Sequence, residues 1–210
     1  MSARTRIKIC GITRVEDALT AAEFGVDAIG LVFYEKSPRC ITSMQALTIA
    51  QALPPFITKV GLFVNATESQ IAKLLSYVSL DCLQFHGEES PEQCGKFSLP
   101  YIKAIPMGSQ QNPLTYAALF PDAAGFLLDS NQIGQQGGTG EIFDWSKIPT
   151  GFPAPLILAG GLTPINVRQA IEVVRPYAVD VSSGVEMQKG VKDKAKMLAF
   201  VKGVRDADVR

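Results

Sequence analysis

The chain carries a single histidine, His86, and no Cys-x-x-Cys pair among its four cysteines, Cys10, Cys40, Cys82 and Cys94. Zinc-ligand spacing is therefore missing, and no metal site is expected. Thiols without a disulfide framework point to a reducing, cytoplasmic setting. Net charge is missing too, because twenty Lys and Arg balance twenty Asp and Glu. No bulk field draws the chain to nucleic acid or to anionic lipid, so any anion it binds must be gripped locally. No apolar run reaches membrane-spanning length, and Met1-Ser2-Ala3-Arg4-Thr5-Arg6 leads straight into a short apolar strand. Neither secretion nor a membrane partner is expected. A Gly-x-Gly-x-x-Gly turn after the first strand is also lacking, which argues against a dinucleotide-binding open sheet.

What is present is a repeating pattern. At 47% hydrophobic and 19% charged, 210 residues can bury one sizeable core. Short runs rich in Val, Ile and Leu predict strands at Ile7–Cys10, Ala28–Phe33, Lys59–Val64, Cys82–His86, Tyr101–Ile105, Gly125–Asp129, Leu156–Ala159 and Val179–Ser182. Amphipathic stretches such as Val15–Phe24, Met44–Leu53, Glu68–Tyr77 and Ile165–Val174 lie between them. Near-continuous apolar strands are buried on both faces, as in parallel sheets, and strand–helix alternation implies right-handed βαβ units. Eight such units predict an α/β fold, a single (β/α)8 barrel of parallel strands spanning 1–210 as one domain. Thr13 with Glu16 has capping-box spacing for the first helix, and Gly25 fits its stop. Thr163-Pro164 and Ser90-Pro91 read as N-caps followed by proline. The glycine- and glutamine-rich segment 130–141 reads as a mobile loop able to close over a ligand.

Barrels of this kind place their chemistry at the carboxyl ends of the strands. The polar residues predicted there are Cys10, His86, Asp129 and Ser182-Ser183, with Arg39 shortly after the second strand and Gly160-Gly161 after the seventh. Strand parity puts Lys8 below Cys10 and Asp180 below Ser182 on inward faces. The first and eighth strands are neighbours once the barrel closes, so Lys8 and Asp180 can pair inside. Gln84 and His86 share a face in the same way. Taken singly, each residue also fits a plain structural role: a cysteine as core filler, an aspartate as a cap, His86-Gly87 as a turn. Cys82 and Cys94 read as core, and Cys40 as a loop residue without a role. The last two loops are more telling. Gly160-Gly161 and Ser182-Ser183-Gly184 put small residues where backbone N–H groups can converge on a phosphate.

In this context the chain resembles the phosphoribosylanthranilate isomerase family. The resemblance begins with Lys8-Ile9-Cys10-Gly11-Ile12-Thr13, Gly30-Leu31-Val32-Phe33-Tyr34 with Ser37-Pro38-Arg39, and Val60-Gly61-Leu62-Phe63-Val64. It continues through Leu83-Gln84-Phe85-His86-Gly87, Leu127-Leu128-Asp129-Ser130, Gly138-Thr139-Gly140 and Phe143-Asp144-Trp145. It closes with Leu158-Ala159-Gly160-Gly161-Leu162, Asn166-Val167 and Val179-Asp180-Val181-Ser182-Ser183-Gly184-Val185-Glu186, all in family order.

The resemblance implies an Amadori rearrangement in tryptophan biosynthesis without a cofactor. It assigns Cys10 as general base and Asp129 as general acid. Arg39 is assigned to the anthranilate carboxylate, and the two loops, Gly160, Gly161, Ser182, Ser183 and Gly184, to phosphate. His86 and Asp180 become substrate-pocket residues. For those roles the Cys10 thiol should be lowered by Lys8 or by loop amides, and Asp129 should be raised by its apolar approach, Gly125-Phe126-Leu127-Leu128. The expected partner is a small phosphorylated substrate, with the chain acting as monomer or homodimer. Two alternatives stand beside this reading. One is the histidine-pathway isomerase of a phosphoribosyl aminoimidazole, whose family resembles an Asp/Asp pair. The other is a silent phosphate-ligand-binding barrel on the same fold.

Overall fold

The structure is a computed structural model that describes residues 4–107, 112–130 and 144–209. Its centre is a closed barrel of eight parallel strands in sequence order. These are β1 (Arg6–Cys10), β2 (Ala28–Val32), β3 (Thr58–Phe63), β4 (Cys82–Phe85), β5 (Tyr101–Pro106), β6 (Gly125–Asp129), β7 (Leu156–Leu158) and β8 (Ala178–Val181). Each predicted strand is found within two residues of its expected ends. The barrel closes where β8 pairs with β1, in a register that sets Lys8 opposite Asp180.

Helices α1 (Val15–Glu23), α2 (Ser43–Ala52), α3 (Glu68–Leu75), α4 (Pro91–Cys94), α5 (Pro113–Ala117) and α6 (Val167–Val174) form the outer layer. Past β8 come a single 3-10 turn at Ser183–Val185, a hairpin of β9 (Glu186–Gln188) and β10 (Val191–Lys192), and α7 (Lys194–Asp208). Helix α7 packs against both α6 and α1, which completes the ring. Ile9, Ile29, Phe85, Phe126 and Val179 face out from the strands and bury against the helices, with Phe200, Val201 and Val204 among their partners. Each such side chain contributes about 1.5–3 kcal/mol over remaining in water. Residues of the opposite parity face the barrel axis. Ala104, Leu127, Ile157, Ala159 and Ala178 fill part of it, and Cys10, Val32 and Leu62 form a second apolar patch nearer the mouth. Cys82 and Cys94 are buried, as predicted.

One cap predicted from sequence does not form. The hydroxyl of Thr13 donates to Gly190 O at 2.5 Å, and α1 begins after Arg14 without a side-chain cap. A tertiary acceptor has taken the group that the capping box would have used. Thr163-Pro164 does cap the entry to α6: the Thr163 hydroxyl accepts from Ile165 N at 3.3 Å, and the regular helix follows from Val167. The Asn166 Oδ1 accepts from Thr163 N at 2.8 Å, while its Nδ2 donates to Gly161 O at 2.9 Å. Ser90 caps α4 ahead of Pro91 as expected, and does so in a capping box with Gln93. Gly25 ends α1 at a φ of +76°. The proposed closing loop at 130–141 falls, apart from Ser130, outside the described residues.

Candidate active site

A cavity opens at the carboxyl ends of the strands. Cys10, Arg39, His86, Asp129, Gly160, Gly161, Asp180, Ser182 and Ser183 all line it. Of the ten residues singled out from sequence, only Gly184 does not. Its role is to let the last two loops touch: a Cβ there would overlap Leu162 O and Leu162 C. Gly160 and Gly161 have φ of +78° and +66°, a region that favours glycine, so bare backbone faces the cavity. The Ser182 hydroxyl is buried beside them with no partner among the described residues.

The walls differ in character around the ring. Val32, Tyr34, Leu62 and Val64 make an apolar side over β2 and β3. The glycine and serine loops lie over β7 and β8. Cys10, on β1, stands between these two sides because β1 neighbours both β2 and β8. Asp129, ending β6, lines the same cavity from farther around the barrel.

Beneath the mouth, Lys8 Nζ donates to Asp180 Oδ2 at 2.9 Å, and both side chains are almost fully buried. Burial alone would lower the Lys8 ammonium, but the carboxylate of Asp180, with Cys10 above it, holds it up at about 12. Asp180 Oδ1 is buried without a partner among the described residues. On β4, Gln84 Nε2 lies 3.0 Å from His86 Nδ1. With the amide in this orientation Nε2 of Gln84 donates to Nδ1, which leaves the ring's Nε2 to carry the proton. That Nε2 lies 3.2 Å from Asp129 Oδ2. Gln84, His86 and Asp129 thus form a chain from the barrel interior to the mouth.

One electrostatic expectation is overturned. Burial raises the Cys10 thiol above its ordinary value; Lys8 and Lys192 pull it down without overcoming desolvation, and Asp180 adds to the rise. Arg39 is also more constrained than its sequence suggests. Its Nε and Nη2 donate to Glu186 Oε1 and Oε2, both at 2.7 Å, with the guanidinium buried. Glu186 further accepts from Lys192 Nζ at 3.0 Å. Against burial, these two cations hold the Glu186 carboxyl below its ordinary range. Glu186 and Lys192 were not anticipated as site residues. They sit on strands of three and two residues, too short for periodicity to register, and the Gly190 turn between them was the available signal.

Comparison with known proteins adds the decisive observation. The model of the N-(5′-phosphoribosyl)anthranilate (PRA) isomerase family matches residues 7–203. The chain belongs to that family. An isomerase of this name from Pseudomonas fluorescens (strain SBW25) is 56% identical over 202 residues, covering 96% of each chain. The namesake from Nitrosococcus oceani is 56% identical over 96% of this chain and 98% of its own. Among solved structures, phosphoribosyl anthranilate isomerase from Thermotoga maritima has a TM-score of 0.86 at 44% identity, covering 96% of this chain and 99% of that one. Another isomerase structure, in complex with reduced 1-(o-carboxyphenylamino)-1-deoxyribulose 5-phosphate, has a TM-score of 0.82 at 42% identity, with coverage of 96% and 99%. Family membership makes the chain an isomerase of the aldose–ketose type.

Proposed function

We infer that the chain converts N-(5′-phosphoribosyl)anthranilate to 1-(2-carboxyphenylamino)-1-deoxyribulose 5-phosphate, an Amadori rearrangement of tryptophan biosynthesis. The observation that carries this is the convergence of Cys10, Asp129, Arg39 and the two small-residue loops on one cavity. The substrate's phosphate belongs over β7 and β8, against Gly160, Gly161, Ser182 and Ser183. Its anthranilate ring belongs on the apolar wall of Val32 and Leu62. The ribose then lies between Cys10 and Asp129.

Asp129, protonated, donates to the furanose oxygen as the C1′–O bond breaks, leaving a cationic Schiff base on the aniline nitrogen. That cation acidifies the C2′ hydrogen, and the Cys10 thiolate removes it. The C2′–H electrons form the C1′–C2′ double bond and the imine electrons return to nitrogen, giving an enolamine. Proton gain at C1′ and loss from the C2′ hydroxyl then yield the ketone. The substrate's own nitrogen is the electron sink, so the sequence needs no cofactor. Among the described residues, Arg39 and the buried Lys192 share the carboxylate of Glu186, and Arg39 lines the cavity where it can meet the anthranilate carboxylate. His86 and Asp180 hold polar groups toward the sugar.

All these residues come from one chain, so either a monomer or a homodimer satisfies the site. We place the activity in one domain spanning 1–210, working in the cytoplasm. Among the described residues no helix is long and apolar enough to cross a membrane. The test follows the loss of phosphoribosylanthranilate fluorescence in wild type, Asp129→Asn and Cys10→Ala. Both variants should lose at least about 100-fold in kcat, the span of general acid–base catalysis. Normal turnover in either removes that residue from the chemistry, and no turnover in the wild type removes the reaction.

A further inference from the structure

We propose that Lys192 is a positioning residue for this reaction: its buried ammonium ties the end of β1 to the end of β8 and so fixes Cys10 against the phosphate-binding loop. The proposal rests on the reading of Cys10 as the base.

The β1–β8 ladder stops at Ile9 and Val181. One step further along, Cys10 and Ser182 would be the next pair. At that level the strands are joined by a side chain: Lys192 Nζ donates to Cys10 O at 2.7 Å and to Ser182 O at 3.1 Å. Its third bond goes to Glu186 Oε1 at 3.0 Å, which accounts for all three donors of an ammonium. The side chain is fully buried. A buried ammonium costs several kcal/mol in desolvation, and an apolar side chain usually holds a core as well or better. A cation kept here therefore does something methionine would not. One accepted carbonyl belongs to the residue that bears the thiol, and the other belongs to the loop assigned to phosphate. A shift of Nζ moves both.

The charge acts on the thiol as well. Around Cys10, Lys8 is matched by Asp180 from inside the barrel, and Arg39 by Glu186 from the mouth. Lys196 on α7 donates to the Glu186 backbone carbonyl, and Asp17 on α1 accepts from Lys192 N. His86 and Asp129 pair with each other across the cavity. Among the described residues, Lys192 shares a carboxylate already bidentate with Arg39, and its charge beside Cys10 favours the thiolate.

The experiment maps Cys10 alkylation by iodoacetamide against pH, by peptide mass, alongside kcat and KM and thermal melting. Wild type, Lys192→Met, Lys192→Arg and Cys10→Ser are compared. Lys192→Met should move the alkylation midpoint up by about one pH unit and lower kcat about ten-fold or more, with a smaller change in KM. Lys192→Arg should restore the midpoint, because the charge returns. If Lys192→Met does not fold, Lys192→Gln, with N–H donors but no charge, takes its place. A folded, neutral variant with unchanged midpoint and kcat overturns the proposal. Full turnover in Cys10→Ser defeats the assignment of the base instead, while a null Cys10→Ser with an unmoved midpoint defeats the role of Lys192 alone.

Discussion

Lys8 Nζ lies 2.9 Å from Asp180 Oδ2, a pair 172 positions apart in sequence that meets in register across the seam where the barrel closes. The two charges are out of water and directly below the thiol. Asp129 lies close enough that, when ionised, it pushes the Asp180 carboxyl up. The pair therefore does two things at once. It locks the first strand to the last, and it sets the electrostatic floor of the cavity.

Removing one partner should be far worse than removing both. Lys8→Met strands a buried carboxylate and should cost about 3–5 kcal/mol in urea unfolding, whereas Lys8→Met with Asp180→Asn recovers most of that loss. The pH dependence has a fixed sign. Lys8 is raised in the folded state from 10.5 to about 12. Its stabilisation is thus complete below the unfolded value and is lost as pH climbs through the folded one. Wild type should lose stability in that window faster than the double variant does. Equal losses in the single and double variants would show that the pair is not coupled.

The sequence announces this pair because a barrel strand obeys strict parity. Once Cys10 is placed at the mouth, Lys8 must point inward, and closure brings β8 alongside. The same rule recovers Gln84 beneath His86. Rules that depend on a few neighbouring residues fare less well. Thr13 and Glu16 have capping-box spacing, but Gly190, 177 positions away, takes the hydroxyl. The Glu186 and Lys192 contacts arise from a hairpin folded back over the barrel mouth, and no periodicity marks a strand of two residues. The Cys10 expectation failed for a related reason: sequence shows a neighbouring lysine but not the depth of burial.

That burial has a kinetic consequence. With the thiol above its ordinary value, thiolate is a small fraction at neutral pH and grows about ten-fold per pH unit until Cys10 titrates. If proton abstraction limits the rate, log kcat/KM should rise with unit slope from neutral into alkaline pH. A flat profile across that range would contradict a buried, mostly protonated base.

Gly184 offers a test of the phosphate grip that leaves every polar group in place. An alanine methyl there collides with Leu162 O, so the loop after β8 must move away from the loop after β7. Gly184→Ala should destabilise the fold by about 1–3 kcal/mol, as overpacking does. It should also raise KM more than it lowers kcat, since uniform binding is what is lost. Inorganic phosphate, as a competitive inhibitor, should weaken in parallel; an unchanged inhibition constant would place the phosphate elsewhere.

Arg39 and Glu186 decide how the other end of the substrate is held. The guanidinium cannot swing freely, because two 2.7 Å bonds fix it to Glu186. A rigid cation of this kind recognises an anion in one place at little further cost in side-chain entropy. Arg39→Ala should therefore raise KM for phosphoribosylanthranilate about 10- to 100-fold, the worth of a charge-assisted contact. Glu186→Gln keeps the shape but slackens the hold on Arg39, so a smaller rise of the same kind is expected. The discriminating substrate is the phosphoribosyl derivative of aniline, which lacks the carboxylate. Wild type should handle it poorly, and Arg39→Ala should handle it no worse than wild type does. If Arg39→Ala impairs both substrates equally, the arginine is bracing the mouth of the barrel, and the carboxylate must be bound by another group.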